Sequence, residues 1–438
     1  MKKLWGGGFD ESADDLVIRF TQSVAQDLRF WQEDVIGTVA HTRMLGEQGL
    51  ITKPECEEII AGLERIHEEG PGSLPKDAED IHTAIELRLQ EIIGDVAHKI
   101  AIARSRNDQV ATSARLYLHN ELIVALDLIK ELQANLLETA KVHRKALMPG
   151  FTHSRPAQPI TLGFYLLAHF WALQRDGWRA ERLFEAANFS PMGAGAIAGT
   201  SLAIDREQTA KELGFFAPIP NALDAVSDRS FVLDALHVCT ITLVDLSRLA
   251  QEIVLFSSPN YGFVTLSGKV TTGSIVLPQK RNPDVAELVR GRAAQAIGNY
   301  TAFAATLKGL PLGYNRDLQD DKPLLYRSLD LLKDSLRIVS LLLNEATWNI
   351  RAMAKAAEFG HSTALDWAEE LVRQGVSFRE AHEHVAEASA AGRSGKMPSA
   401  RESVNQRLSD GGPGPKSVAK QIRKAENLLK KAQFNTPY

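Results

Sequence analysis

The stretch QVATSARLYLHNELIVALDLIKELQANLLETAKVH, from Gln109 to His143, contains neither glycine nor proline. Apolar residues recur through it at helical spacing, among them Leu122, Leu126, Ile129 and Leu136, which predicts one long amphipathic helix. Period-two runs that end in hairpin turn signals are scarce. Four more segments have similar long patterns: Leu162–Ala187, Phe231–Phe256, Pro283–Lys308 and Pro323–Met353. The sequence therefore predicts an all-α fold built on a five-helix bundle.

Helices of this length carry a large apolar surface. At a rise of about 1.5 Å per residue, some of them approach ~50 Å. One small bundle cannot cover that surface, so we expect bundles from several copies of the chain to pack together.

Composition narrows the class of protein. A chain of 438 residues is too long for one ordinary hydrophobic core, so two or three substructures are expected. With 24% charged residues and a net charge of -4, neither nucleic acid nor an anionic membrane is an expected partner. Cys56 and Cys239 match no disulfide or zinc pattern. Because no apolar signal segment or long uncharged apolar run occurs, we expect a cytoplasmic protein.

Helix signals divide the chain into three regions. The capping box Thr52-Lys-Pro-Glu55 opens a compact helix within an N-terminal domain, residues 1–105. The long patterns occupy a central domain, residues 106–354. Shorter helices and Gly/Pro-rich stretches predict a small C-terminal domain, residues 355–438, which ends in a basic helix from Ser417 to Lys431. We expect the charges of that helix to be solvated.

A polar stretch interrupts the helices: Gly273-Ser-Ile-Val-Leu-Pro-Gln-Lys-Arg-Asn-Pro-Asp284. Asn282 and Pro283 are predicted as the N-cap and first position of a helix, which places Ser274 and Lys280 beside free backbone N–H groups. This combination of hydroxyl, ammonium and carboxamide suits a developing anion. A flexible connector before a capped helix is the simpler alternative, but it does not account for Ser274 and Lys280.

A second polar cluster, Ala103–Gln109, precedes the longest predicted helix. Its two guanidiniums, hydroxyl and amides predict a cradle for a carboxylate. Capping of the helix by Ser105, Asn107 or Asp108 is the alternative.

Two further polar clusters could belong to a functional site, but each also has a simple structural explanation. Phe151–Pro159 is predicted as a proline-bounded loop between helices that holds His153, and a loop histidine is more often solvated than chemical. Tyr314–Lys322 is rich in groups that recognise carboxylates and cations, although it also suits a solvated turn.

Other motifs point away from cofactors. Gly193–Ala198 approximates a dinucleotide fingerprint but lacks the preceding strand, so a tight interhelical turn is expected. His382 and His384 would lie on different sides of a helix, so no metal site is predicted.

The pattern Gly-Ser-x-x-x-Pro-x-Lys-x-Asn-Pro, which starts at Gly273, resembles the signature of the fumarase/aspartase superfamily. Six motifs together resemble its argininosuccinate lyase family, in order along the chain: Lys3-Leu-Trp-Gly-Gly7, Glu79-Asp-Ile-His82, Arg104-Ser-Arg-Asn-Asp-Gln-Val110, Gly195-Ala-Ile-Ala-Gly199, Leu277-Pro-Gln-Lys280 and Tyr314–Lys322.

The resemblance implies three mostly helical domains and a homotetramer whose core is a twenty-helix bundle. It also implies active sites assembled from three subunits. The expected reaction is the cleavage of argininosuccinate into fumarate and arginine, the last step of arginine biosynthesis, with no cofactor.

This chemistry explains the residue types. β-Elimination must remove a weakly acidic proton beside a carboxylate, which leaves an aci-carboxylate that Lys280, Asn282 and nearby backbone N–H groups would stabilise. By the resemblance, Ser274 transfers the proton, and His153 is its acid/base partner, made more basic by Glu287. Either Ser274 or His153 could remove the carbon proton, and we favour Ser274.

The resemblance also implies a set of groups that bind the substrate. Carried over position by position, these are Ser23, Asn107, Thr152, Tyr314, Gln319 and Lys322, with His82, Arg106 and Arg229 as neighbours.

The chain departs from the family pattern at several positions. Ile275 stands where a second serine is usual, Gly8 where arginine is common, Leu277 where methionine is common and Ser230 where aspartate is usual. A stretch of the family pattern expected after about Gly392 is shortened here, which predicts a trimmed C-terminal domain. The glycine-containing loop from Ser258 to Gln279 is predicted to close over the substrate.

Three rival functions deserve comparison: a related lyase such as adenylosuccinate lyase, a crystallin-like structural protein, and a helical binding scaffold without catalysis. Gln279 and the clusters at 104–109 and 314–322 argue against a site for a nucleotide. The presence of Ser274 and His153, together with Lys280 and Asn282, favours an enzyme.

Overall fold

A computed structural model describes residues 14–393, 395 and 397–431. The motif Lys3–Gly7 and the residue Gly8 lie outside this part of the chain. The described residues are mostly helical, as predicted, and their strands form three two-stranded sheets.

The N-terminal region is a group of short and medium helices. Its helix at Lys53 follows the predicted capping box, in which the Thr52 backbone N–H donates to Glu55 over 2.9 Å. The helices are α1 (Asp15–Thr21), α2 (Val24–Asp27), α3 (Trp31–Glu47), α4 (Lys53–Glu69) and α5 (Ile81–Ile93), with short 3-10 helices at Leu28–Phe30, Pro71–Ser73 and Gly94–Ala101.

The central region holds the five long helices. They are accompanied by two short ones, and in chain order the set is α6 (Arg106–Val142), α7 (Leu162–Ala187), α8 (Arg206–Glu212), α9 (Ala222–Ser227), α10 (Ser230–Ser257), α11 (Asp284–Leu307) and α12 (Asp321–Asn344). Ser105 caps α6, and Asp108 closes a capping box by accepting from the Ser105 N–H over 2.9 Å. With 37 residues, α6 is about 55 Å long.

Helix α10 lies at the centre of the bundle, where it packs against α7, α11 and α12. It buries Phe231, Leu236, Leu243 and Leu249. Among the described helices, α10 alone is long and apolar enough to cross a membrane by length and composition. Burial on several sides is the reason a central bundle helix has this composition.

The starts of α6, α10 and α12 lie together at what we call the lower end of the bundle. Arg115 of α6 pairs with Asp228, just before α10, over 2.5 Å. Arg229 donates to Asp321, the first residue of α12, over 2.9 Å.

The same helices finish together at the upper end. Phe151, which follows α6, and Tyr261, which follows α10, have ring centroids 5.9 Å apart. Strand β5 (Val264–Leu266), after α10, pairs with β6 (Ala346–Trp348), after α12. The two ends are therefore separated by the length of the bundle.

The predicted loop Phe151–Pro159 is wrong. This segment belongs to a hairpin of β1 (Leu147–Thr152) and β2 (Arg155–Thr161), with His153 and Ser154 at its tip. Both tip residues have positive φ, 51° and 58°, as a tight two-residue hairpin turn requires. Its prolines are tolerated because both strands of a two-stranded ribbon are edges.

The helix predicted over Pro323–Met353 is wrong beyond Asn344. There the chain enters β6, and Asn349 then caps a separate helix by accepting from the Ala352 N–H over 3.1 Å. The remaining short parallel pair joins β3 (Phe189–Ser190) to β4 (Ala217–Pro218).

The C-terminal region has shorter helices, as predicted. Trp367, Ala381 and Val385 form a small core of their own between two of them, whereas the last helix returns to pack along α6 and α7. The helices are α13 (Ile350–Ala357), α14 (Ala364–Arg373), α15 (Phe378–Ala390), α16 (Ala400–Gln406) and α17 (Pro415–Lys431).

Candidate active site

A polar cleft of about 450 Å³ opens at the lower end of the bundle. Its walls come from α2, α5, the start of α6 and the segment that leads into α12. Seven of the predicted site residues line it: Ser23, His82, Arg106, Asn107, Tyr314, Gln319 and Lys322. Segments far apart in sequence thus contribute to one cavity.

The cluster Ala103–Gln109 caps α6 and also lines the cleft. Ser105 caps α6, while Arg104 and Arg106 line the cleft. Ala103 has a positive φ of 56°, which turns the chain sharply before the helix. The Asn107 side chain donates to the Ala196 carbonyl over 3.0 Å, so the cradle is tied to the turn at residues 193–199.

That turn is the tight interhelical connection expected from its glycines. The backbone N–H groups of Gly193 and Gly195 donate to the Asp108 carboxylate over 3.1 and 2.8 Å. Both glycines have positive φ, and the turn packs closely on α6 rather than binding a dinucleotide.

A buried charge cluster forms the other wall of the cleft. Lys322 is only 3% exposed and lies 3.3 Å from Asp321 and 3.8 Å from Asp27. Burial alone would lower the pKa of Lys322, but the two carboxylates raise it, so its ammonium stays charged. Ser23 donates to Asp27 over 2.6 Å.

Arg229 does not line the cleft. Its guanidinium is fully buried behind the wall, where it donates to Asp321 and to the Asp228 carbonyl over 2.9 and 2.8 Å. Its contacts therefore support Asp321 and, through it, Lys322.

Several cleft residues were not predicted as site residues. Arg104 was placed only in the cradle cluster, and Asp27 lies one helical turn beyond Ser23, a spacing that marks it in retrospect. The additional charged residues in the lining are Asp27, Glu79, Asp80, Glu86, Arg104 and Arg316. The cleft therefore presents both carboxylates and cations.

The other six predicted residues lie at the upper end of the same chain. His153 and Thr152 belong to the hairpin tip, and Ser274 and Lys280 belong to the loop before α11. Glu287 is in the first turn of α11, and the upper position of this turn follows from the bond between Arg290 and Gln251, over 2.6 Å. Asn282 immediately precedes that turn.

The loop before α11 is pinned at its base and exposed in its middle. Thr272 and Asn282 exchange two backbone hydrogen bonds over 3.1 and 2.9 Å. The predicted N-cap is therefore wrong, since Pro283 occupies the cap position and the Asn282 backbone is paired across the loop. Ser274 Oγ accepts from the Leu277 N–H over 3.0 Å, and Ile275 and Val276 are almost completely exposed.

The part of the chain that the structure describes contains no group of three or more His, Cys, Asp or Glu side chains arranged to hold a metal ion.

Known proteins resemble this chain over most of its length. A family model described as Lyase matches residues 7–298, and one described as Argininosuccinate lyase C-terminal matches residues 361–406. Argininosuccinate lyase from Carboxydothermus hydrogenoformans is 43% identical over 98% of this chain and 100% of its own length. The chain belongs to the argininosuccinate lyase family. It is accordingly a carbon–nitrogen lyase.

Other members of the family and solved structures agree. Argininosuccinate lyase from Moorella thermoacetica is 43% identical over 98% of both chains. A crystal structure of EDDS lyase in complex with formate has a TM-score of 0.84 and 29% identity, and the match covers 92% of this chain and 86% of that one. Class II fumarase from Schistosoma mansoni, 18% identical with a TM-score of 0.74 over 94% and 92% of the chains, shows the shared fold alone. The predicted fumarase/aspartase-like fold is confirmed.

The alignment with the Carboxydothermus hydrogenoformans relative also bears on chain length. It runs over 454 positions although this chain has 438 residues. The relative therefore has residues with no counterpart here, and their location after about Gly392 stays a prediction.

Proposed function

We propose that the cleft binds argininosuccinate and that the chain cleaves it to fumarate and arginine, as a cytoplasmic enzyme of arginine biosynthesis. The observation that carries this proposal is the mixed charge of the cleft. Argininosuccinate has three carboxylates, an ammonium and a guanidinium. Cations such as Arg104, Arg106 and Lys322 suit its carboxylates, and acids such as Asp27 and Glu86 suit its cationic groups.

In the proposed reaction, Ser274 acts as an alkoxide, favoured by the adjacent ammonium of Lys280, and becomes a hydroxyl again when it removes the proton from the carbon beside a carboxylate of the succinyl group. The pair of electrons left on carbon moves into that carboxylate, and the resulting aci-carboxylate is stabilised by Lys280 and Asn282. The carbon–nitrogen bond then breaks, and His153 delivers a proton to the departing guanidino nitrogen, with Glu287 as its hydrogen-bonding partner.

The site requires more than one copy of the chain. Within one chain, Ser274 and His153 lie at the upper end and the cleft at the lower end, about 55 Å away along α6. An antiparallel arrangement of bundles would bring an upper end of one copy to the lower end of another. This geometry calls for at least two copies, and from the family resemblance we propose a homotetramer with sites shared among three subunits.

Exposed apolar surface supports this assembly. Along α11, Leu288 and Ile297 are exposed. No atom of another segment lies within 4 Å of the position that a Cβ would take at Gly291 or Gly298, so another chain could approach the helix closely there. At the lower end, Phe20 of α1 is also exposed. Such surface is costly in water and is typical of packing between subunits.

The domain division belongs to the same proposal. Residues 1–105 would form one wall of the cleft, 106–354 the bundle and the upper end, and 355–438 a small helical cap.

The test measures fumarate release by ultraviolet absorbance, with argininosuccinate and adenylosuccinate in parallel. We expect release from argininosuccinate alone. If wild-type protein releases fumarate only from adenylosuccinate, or from neither, the proposed function is wrong.

Shared sites are tested by mixing two inactive variants, Ser274→Ala and Lys322→Met, after partial denaturation and refolding together. If one chain supplies the loop and another the cleft, mixed assemblies contain some intact sites and activity returns. Absence of any recovery, with mixed assemblies verified by mass, would contradict sharing.

A further inference from the structure

One buried carboxylate behind the cleft contacts two of the residues that line it. Asp34 of α3 is 1% exposed and does not belong to the cleft lining. Its Oδ1 accepts from His82 Nδ1 over 2.7 Å, and both of its oxygens accept from Gln109 Nε2 over 3.1 Å. Ser113 Oγ also donates to it, over 3.0 Å.

The first of these contacts sets the tautomer of His82. Burial alone would raise the pKa of Asp34, but the hydrogen bonds from His82 and Ser113 and the nearby charge of Arg104 outweigh it and lower that pKa. An ionised carboxylate can only accept, so Nδ1 of His82 must carry a proton. Nε2 is then the nitrogen that His82 offers to a ligand in the cleft.

The second contact reaches Arg106 through Gln109. Gln109 Nε2 donates to Asp34, while Gln109 Oε1 accepts from Arg106 Nη1 over 2.9 Å. The neighbours of the Gln109 amide fix its orientation. The Asp34 carboxylate can only accept a hydrogen bond and the Arg106 guanidinium can only donate one, so the amide nitrogen must face Asp34 and the amide oxygen must face Arg106. Asp34 thereby fixes which way the amide turns and where the guanidinium points.

We infer that Asp34 is a positioning residue for the reaction, acting on His82 directly and on Arg106 through Gln109. The inference rests on the proposed function, since these two groups matter as contacts of the substrate. Asp34 itself does not touch the substrate. Three helices meet at this carboxylate, α3, α5 and α6, so one side chain orients two faces of the cleft.

Asp34→Asn is the central test. Asparagine has the same shape, but one of its two terminal atoms is an amide nitrogen that donates. Either His82 Nδ1 or Gln109 Nε2 then faces a donor instead of an acceptor, which favours rotation of that ring or amide. We expect kcat/KM for argininosuccinate to fall by about 10- to 100-fold, by analogy with the loss seen when the hydrogen-bonding partner that orients a metal-binding histidine is replaced. Two controls should stay within about threefold of wild type: Ser113→Ala, which removes only a donor to Asp34, and Asp176→Asn, an equally buried acid in the bundle.

Double-mutant cycles separate positioning from a structural role. Asp34→Asn is combined with His82→Asn and, separately, with Arg106→Lys. If Asp34 acts through one of these groups, its substitution costs little more once that group is altered. The inference would be overturned if, in both cycles, the fold-loss in kcat/KM of the double variant equals the product of the two single losses. An unchanged kcat/KM in a folded Asp34→Asn protein would also overturn it.

Two further measurements cover the remaining outcomes. If Asp34→Asn does not fold, Gln109→Leu breaks the relay alone, and its effect must be non-additive with that of Arg106→Lys. If wild type releases no fumarate, the proposed function fails by itself. Crystal structures of wild type and Asp34→Asn then decide the positioning role, which is wrong if both His82 and Arg106 keep their places.

Discussion

The two ends of the bundle are built in opposite ways. At the lower end, charged groups such as Asp34 and Lys322 are buried and bonded to partners within the same chain. At the upper end, Ser274 and its neighbours Ile275 and Val276 lie on an exposed loop that is pinned only at its base. The cleft is thus preorganised within one chain. In the proposed assembly, the exposed loop would contribute to the site of another copy.

The strongest test of this contrast is Ser274→Ala. Because the hydroxyl is proposed as the base, kcat should fall by roughly 10³-fold or more, while the chain folds and assembles as before. Steady-state kinetics and the thermal midpoint check both parts. Retention of kcat within tenfold would shift the base to His153, and a matched His153→Asn variant would then show the larger loss.

A pair of lysine substitutions compares the ends directly. Lys322→Met leaves Asp27 buried without its cation and leaves Asp321 with Arg229 alone, so the free energy of unfolding should fall by about 3–5 kcal/mol. Lys280→Met, on the exposed loop, should change it by less than about 0.5 kcal/mol. Denaturant titration of both proteins measures this difference, and equal losses would break the contrast.

A buried acid between the two ends predicts a dependence of stability on pH. Burial, and then the nearby Asp245, raise the pKa of Asp176 to about 7, against the opposing charges of Arg179 and Arg175. A carboxyl whose folded pKa is raised stabilises the fold below its unfolded pKa, and that contribution disappears as pH rises through the folded value. Between pH 5 and 8, the free energy of unfolding of wild type should therefore fall by roughly 2–3 kcal/mol more than that of Asp176→Asn. Unfolding curves across this range are the check, and parallel pH profiles would contradict the prediction.

The smallest expected effect concerns Ile275. Its side chain is fully exposed in the single chain, so Ile275→Ser should alter stability by less than about 0.5 kcal/mol. If the loop closes on a neighbouring subunit, KM should change a few-fold and the loop should gain protection from hydrogen exchange when argininosuccinate is bound. Equal hydrogen exchange of the loop with and without argininosuccinate would show that the loop does not close over the substrate.

Much of the fold was predictable because its signals are local. The uninterrupted pattern from Gln109 to His143 is sufficient for α6, and the capping residues mark its start within a few positions. The hairpin at His153 and the break after Asn344 were missed for the opposite reason. Each depends on a strand that finds its partner elsewhere, β2 across a tight turn in the first case and β5 some 80 residues away in the second.

The site was predictable in chemistry but not in arrangement. The motifs predicted Asn107, Tyr314 and Lys322 as substrate-binding groups, and the structure brings all three to one cleft. They did not point to Asp27 or Asp34, because the burial of a single acid and the partners it bonds on other helices are set by tertiary packing.

The sequence by itself determined the helical architecture, the family and the types of group available for elimination, since all of these follow from residue identity and spacing. Only the tertiary structure decided that the cleft and the serine loop stand at opposite ends of the same bundle. The physical reason is the length of the helices: residues close in a motif stay close, but α6 carries the chain about 55 Å from Asn107 to the hairpin that holds His153.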